Sequence, residues 1–192
     1  MKKLMIAALM FGVLVGCSTP STLLTPSGVE VSASSLPKEE AQKLAKMQDS
    51  LYHERAANVL KNSSFVLEAD RLIHDHGRSQ TVSSMTNFIM VSGEKVVIQV
   101  APFVGGGPNG VGGITVDGHT SNVKISTDKH GGVTYTMDAI GAGLSANVVV
   151  KLTGGSDYAT AQVKSNFNSS DITLQGRIVP RNASSVYKGL SR

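Results

Sequence analysis

Three hydrophobic periods follow one another along this chain, and each switch marks a boundary. Residues 4–15, LMIAALMFGVLV, form an uncharged apolar run behind Lys2 and Lys3. That run is too short to cross roughly 30 Å of hydrocarbon as a stable helix, and a basic start with a short apolar stretch is the pattern of an export signal over residues 1–16. Residues 18–36 are rich in Ser, Thr and Pro and carry one charge, Glu30. Such a segment buries too little apolar surface to offset its ordering entropy, so a flexible tether is predicted over 17–36. From Pro37 the apolar positions recur at three and four: Ala41, Leu44, Met47, Leu51, Ala56, Val59 and Leu60. The spacing predicts one amphipathic helix over 37–62, with Ser35 as a cap, Pro37 in the first turn and Glu39 and Glu40 set against the helix dipole.

After Ser64 the period becomes two and stays there. β-Branched residues are dense, and turn signals arrive every eight to twelve positions. The predicted strands are 65–72, 82–91, 95–101, 113–116, 120–127, 132–140, 144–153, 157–165 and 171–179. Asp117-Gly118, Asp128 to Gly132, Gly141 to Gly143 and Gly154-Gly155 read as hairpin turns between them. Short links make sequential strands neighbours. The reading is therefore mainly β: an antiparallel meander over 63–180 closed as a barrel, or left as a half-barrel or sandwich, with the helix 37–62 in the same unit. Residues 181–192 are read as a C-terminal tail.

Composition narrows the classes. Export cleavage before Cys17 removes two of the 18 Lys and Arg, leaving 16 against 14 Asp and Glu. The basic residues are scattered, without aromatics between them, which excludes a phosphate-tracking nucleic-acid surface. Trp is absent and aromatics make up 5% of the chain, so the core rests on Val, Ile, Leu, Met and Ala. A single cysteine allows no internal disulfide, and packing alone must hold the fold.

That cysteine lies in Leu14-Val15-Gly16-Cys17, which resembles the bacterial lipobox. The resemblance implies that the Cys17 thiol receives a diacylglycerol and that the mature chain begins there. Several long acyl chains, at roughly 0.8 kcal/mol per buried methylene, make release negligible. Ser18 follows in place of the aspartate that favours inner-membrane retention, so an outer-membrane anchor facing the periplasm is expected.

Downstream, VLKNSSFVLEAD, VSGEKVVIQVAPFVGGGPNGVGGITVDG, STDKHGGVTYTMDA and YATAQVKSNFNSSDITLQGRIVP resemble, in order and spacing, the Bacteroides-type lipoproteins grouped as domain of unknown function 4251. The likeness covers about residues 40–180. It implies a lipocalin-like antiparallel barrel or half-barrel and supplies no activity, cofactor or site. Asp49-Ser50-Leu51 also resembles a short O-glycosylation acceptor.

Candidate chemistry is sparse. Gly105, Gly107 and Gly110 have GxGxxG spacing within GGGPNGVGG, but a strand, Ile114-Thr115-Val116, follows where a dinucleotide site needs a helix N-terminus. The segment reads instead as a loop over a barrel mouth. Phe103, Gly105, Gly106, Gly107 and Pro108 are the candidate ligand-binding residues, because barrel mouths are common ligand sites. His74 and His76 stand at i and i+2 and can share a metal ion, but no further ligands accompany them, and solvated turn residues are the simpler account. Ser35-Leu36-Pro37-Lys38 has the SxxK spacing of penicillin-interacting enzymes without their other elements. No catalytic residues and no cofactor are assigned. The expected function is a non-enzymatic, lipid-anchored binding or scaffold module with a protein partner. The alternative is a lipocalin-like carrier of a small apolar ligand, and a hydrolase of envelope polymers comes third.

Overall fold

Alternating β-branched residues are resolved into strands that pair in sequence order. A computed structural model describes residues 22–24, 30–32, 37–74, 77–101, 110, 113–142, 144–166 and 171–191. The chain divides into two units, 1–45 and 46–192. In the first, β1 (Thr22–Leu24) and β2 (Glu30–Ser32) pair antiparallel from Thr22↔Ser32 to Leu24↔Glu30. The stretch expected to be a structureless tether thus contains a hairpin. Leu23, Leu24 and Val31 are residue types that favour strands.

Helix α1 runs from Lys38 to Lys61, within one residue of the predicted span at each end. Ala41 donates its N–H to the Pro37 carbonyl at 3.0 Å, and Glu39 and Glu40 occupy the first turn with Lys61 in the last, both favourable to the dipole. Ser35 lies outside the described residues. At the far end Ser63 adopts φ +49° and turns the chain directly into the first barrel strand.

The second unit is a closed barrel. Its strands are β3 (Ser64–Ile73), β4 (Ser79–Thr81), β5 (Phe88–Ser92), β6 (Lys95–Val100), β7 (Ile114–Thr127), β8 (Val133–Gly141), β9 (Leu144–Leu152), β10 (Tyr158–Ser165) and β11 (Asp171–Pro180). From β5 to β11 each strand pairs antiparallel with the next, β5 also pairs with β3, and β11 returns to pair with β3, so eight strands close while short β4 adds beside Arg71–Ile73, beyond the end of β5. Closure selects the barrel over the half-barrel and sandwich.

Two expected strands are drawn differently. The stretch 82–91 begins instead with a turn, in which Asn87 N–H bonds the Ser83 carbonyl at 3.1 Å, and only Phe88–Ser92 is a strand. Asp117-Gly118 is no hairpin turn: it lies inside β7, with Gly118 opposite Gly141 of β8. A Cβ on Gly118 would come within 2.5 Å of the Ile140 carbonyl oxygen, so glycine there permits a close strand approach and not a reversal. The irregularity in β7 falls later, between Ser121 and Lys124, where Asn122 takes φ +52°. Asn122 and Asn147 both donate to the Asp138 carboxylate, at 2.7 and 2.9 Å, and these bonds hold it below its ordinary pKa.

Inward-facing residues fill one end of the barrel. Phe65 and Tyr135 meet edge to face, centroids 5.2 Å apart, and Ala56 and Leu60 of α1 join the same buried cluster. Tyr135 also donates its hydroxyl to Ser63 Oγ at 3.0 Å; burial raises the phenol's pKa, and the Ser63 bond offsets part of that. The helix therefore acts as a plug, each fully buried aliphatic or aromatic side chain stabilising by roughly 1.5–3 kcal/mol.

Outside the barrel, the tail is part of the fold. After a 3₁₀ turn at Arg181–Ala183 it crosses β3, β5, β6 and β7. Gln99, fully buried on β6, holds it there. The amide nitrogen donates to the Thr86 and Tyr187 carbonyls at 3.0 and 2.8 Å, while its oxygen accepts from Gly189 N–H at 2.8 Å and Thr115 Oγ1 at 2.7 Å. Lys188 adds an ion pair to Asp117 at 2.6 Å. Burial raises the Asp117 pKa, but bonds from Lys188 and Ser191 outweigh it and hold the carboxyl below 3.8.

Gly176 in β11 is expected to tolerate no side chain, since a Cβ there would sit 1.9 Å from the Glu68 carbonyl oxygen at the closing seam. Gly176→Ala should lower stability in urea unfolding by about 3 kcal/mol or more. Gln99→Ala should cost about 2–4 kcal/mol by stranding buried polar groups, and should speed amide exchange at Tyr187 and Gly189. The Asp117 contribution is fully present above pH 3.8 and fades as pH falls through its lower folded pKa, so those two amides should lose protection in acid before the core amides do.

Candidate functional site

Strand direction sorts the connections onto two ends. The links β5–β6, β7–β8 and β9–β10 lie at the helix-plugged end, and β3–β4, β6–β7, β8–β9 and β10–β11 at the other. At that second end the inward positions are aliphatic but not filled. Ile98 and Val100 of β6, Ile114 and Val116 of β7, Val163 of β10 and Ile172 of β11 line a cavity of about 430 Å³. One inward position deeper, Val96, Ala161 and Leu174 are buried and form part of the packed core. The barrel is thus solid below and a cup at its mouth, with a volume within the roughly 300–1,000 Å³ typical of small-molecule sites.

Polar groups sit on the rim. His74, Arg78, Ser165 and Asp171 complete the lining. His74 N–H donates to the Arg78 carbonyl at 2.9 Å, which links the ends of β3 and β4, and both residues line the cup. Asp171 lies 3.8 Å from Lys164.

The expected ligand-binding residues Phe103, Gly105, Gly106, Gly107 and Pro108 lie outside the described residues, as do His76 and Cys17. The described residues on either side of their segment, Val100 and Ile114, both line the cup. His74 is half-buried at the rim. His119 lines the outer surface of β7, and His130 sits exposed in the β7–β8 turn, where its N–H bonds Asp128 Oδ1 at 2.7 Å. Among the described residues no three His, Cys, Asp or Glu side chains are grouped to hold a metal ion.

A larger open furrow of about 980 Å³ runs outside the barrel, bordered by Glu94, Lys95, Asp117, His119, Arg181 and Lys188. Two of its cations are engaged: Lys188 with Asp117, and Arg181 with Ser92 Oγ at 3.0 Å. The groups with shifted acidity are likewise structural. Tyr158, raised by burial and by its 2.8 Å bond to Asp70, ties β10 to β3 across β11. It, Asp117, Tyr135 and Asp138 each lie within their own hydrogen-bond set, on β10, β7 and, for the last two, β8.

Fold and cup together define a closed eight-stranded antiparallel barrel, plugged at one end by a helix and concave and apolar at the other. The chain belongs to a family described as a domain of unknown function, DUF4251, whose model matches residues 47–178. A DUF4251 family protein from Bacteroides eggerthii DSM 20697, known from its crystal structure, is 40% identical, with a TM-score of 0.63 over 72% of this chain and 94% of that one. No curated protein matches the chain.

Sequence reading missed the cup's own walls. Ile98 and Val100 alternate visibly, but splitting β7 at Asp117-Gly118 hid the continuity that sets Ile114 and Val116 opposite them. Arg78 carried no signal at all. Replacing Val116 with Trp is expected to fill the cup while leaving the urea midpoint within the range of ordinary surface changes, about ±0.5 kcal/mol, because this wall is only partly buried.

Proposed function

We propose that the barrel is a binding module that takes a small apolar ligand in its mouth and that acyl chains on Cys17 hold it to a membrane, as an outer-membrane lipoprotein facing the periplasm. One observation carries the ligand reading: six aliphatic side chains from four strands converge on one cavity. Closure of β11 on β3 leaves those eight strands mutually paired, which favours a concave site over a sheet edge as the recognition surface. The anchor rests on Leu14-Val15-Gly16-Cys17 and on Lys2 and Lys3 ahead of the apolar run. Among the described residues no helix is long and apolar enough to cross a membrane, a condition compatible with lipid attachment. A non-enzymatic role is proposed because the titratable groups with shifted acidity serve strand and tail contacts and none lines the cup.

Fluorescence titration tests the ligand reading. N-phenyl-1-naphthylamine, an uncharged apolar probe, is expected to brighten on binding the wild-type barrel and to show no saturable binding to Val116→Trp. Equal binding by both proteins, or by neither, would contradict the site. Fractionation of cells grown with labelled palmitate tests the anchor: wild type should be labelled and sediment with membranes, and Cys17→Ala should be unlabelled and soluble while its barrel still unfolds cooperatively.

A further inference from the structure

The cup's lining and rim differ in chemistry, and that difference specifies a ligand. Among the described residues every wall position is Ile or Val, so the buried part of an occupant meets an aliphatic surface there. Only an aliphatic segment is accommodated without stranding a polar group. The rim carries one permanent cation, Arg78, and one acid, Asp171. Arg78 is exposed, permanently charged, and has no carboxylate partner among the described residues, while the rim's acid, Asp171, already lies 3.8 Å from Lys164. His74 lines the same rim, its backbone N–H bonded to the Arg78 carbonyl. A planar guanidinium suits two oxygens of one anion.

We propose that the mouth binds a single-chain aliphatic carboxylate, its tail in the cup and its head held by Arg78 with His74. This rests on the mouth being a ligand site, and charge complementarity at the rim is what fixes the class. The carboxylate oxygens accept from the Arg78 N–H groups, and no bond is made or broken.

Competition against N-phenyl-1-naphthylamine separates this proposal from the reading beneath it. Decanoate, 1-decanol and decyltrimethylammonium are compared on the full mature chain at constant salt. Decanoate should displace the probe at about five- to tenfold lower concentration than decanol, with decyltrimethylammonium weakest. Arg78→Gln should erase the preference for decanoate while leaving decanol and the probe unchanged, and Arg78→Lys should keep part of it. Equal competition by decanoate and decanol, or a loss in Arg78→Gln that falls alike on both, would overturn the carboxylate proposal and leave the apolar site standing. Absence of saturable probe binding would overturn both.

Discussion

Pairing of β11 with β3 is the constraint on which the rest of this structure depends. Seven hairpin-linked contacts between sequential strands would give only a curled sheet; the eighth, between strands separated by most of the unit, makes it a barrel. The seam is also tightly packed, since Gly176 lies against the Glu68 carbonyl where the register shifts between Gln175 and Gly176. A bulge at such a point lets one strand bend enough to meet its partner.

Closure creates an inside, and the residues then divide it. Large side chains are concentrated toward one end, where Phe65 and Tyr135 pack with Leu60 of the helix, and among the described residues the inward strand positions at the other are Ile and Val. The question of whether the barrel is hollow or packed therefore has a positional answer. It is packed through its depth and hollow at the mouth, which limits an occupant to a small molecule. On the outside, the tail is pinned through Gln99 over β5 to β7, so the buried polar groups there complete the fold and do not form a cleft.

Much of the architecture was legible because period and turn chemistry agree. The switch from three-and-four spacing to two at Ser64 marks the end of α1, and most hairpin glycines punctuate real turns. The exceptions have physical causes. Gly118 looks like a turn residue but serves close strand approach, a use of glycine that one strand's sequence does not distinguish. Leu23 to Val31 lie in a polar stretch too poor in apolar residues to predict a hairpin, yet pair locally. The tail VPRNASSVYKGLSR has no period because its own backbone is what binds, through Tyr187 and Gly189, and its partner is a lone glutamine 88 to 90 residues earlier. The cup was least legible of all. Its walls come from four strands, and only the register across them shows which residues meet.

Mapping by nuclear magnetic resonance addresses the central claim most directly. In a titration of isotope-labelled protein with decanoate, the account predicts saturable amide shifts at Ile98, Val100, Ile114, Val116, Val163 and Ile172, with the helix-plugged end around Leu60 and Tyr135 unmoved. Shifts confined to the outer furrow near Lys95 and Lys188, or none below the concentration at which decanoate forms micelles, would contradict it.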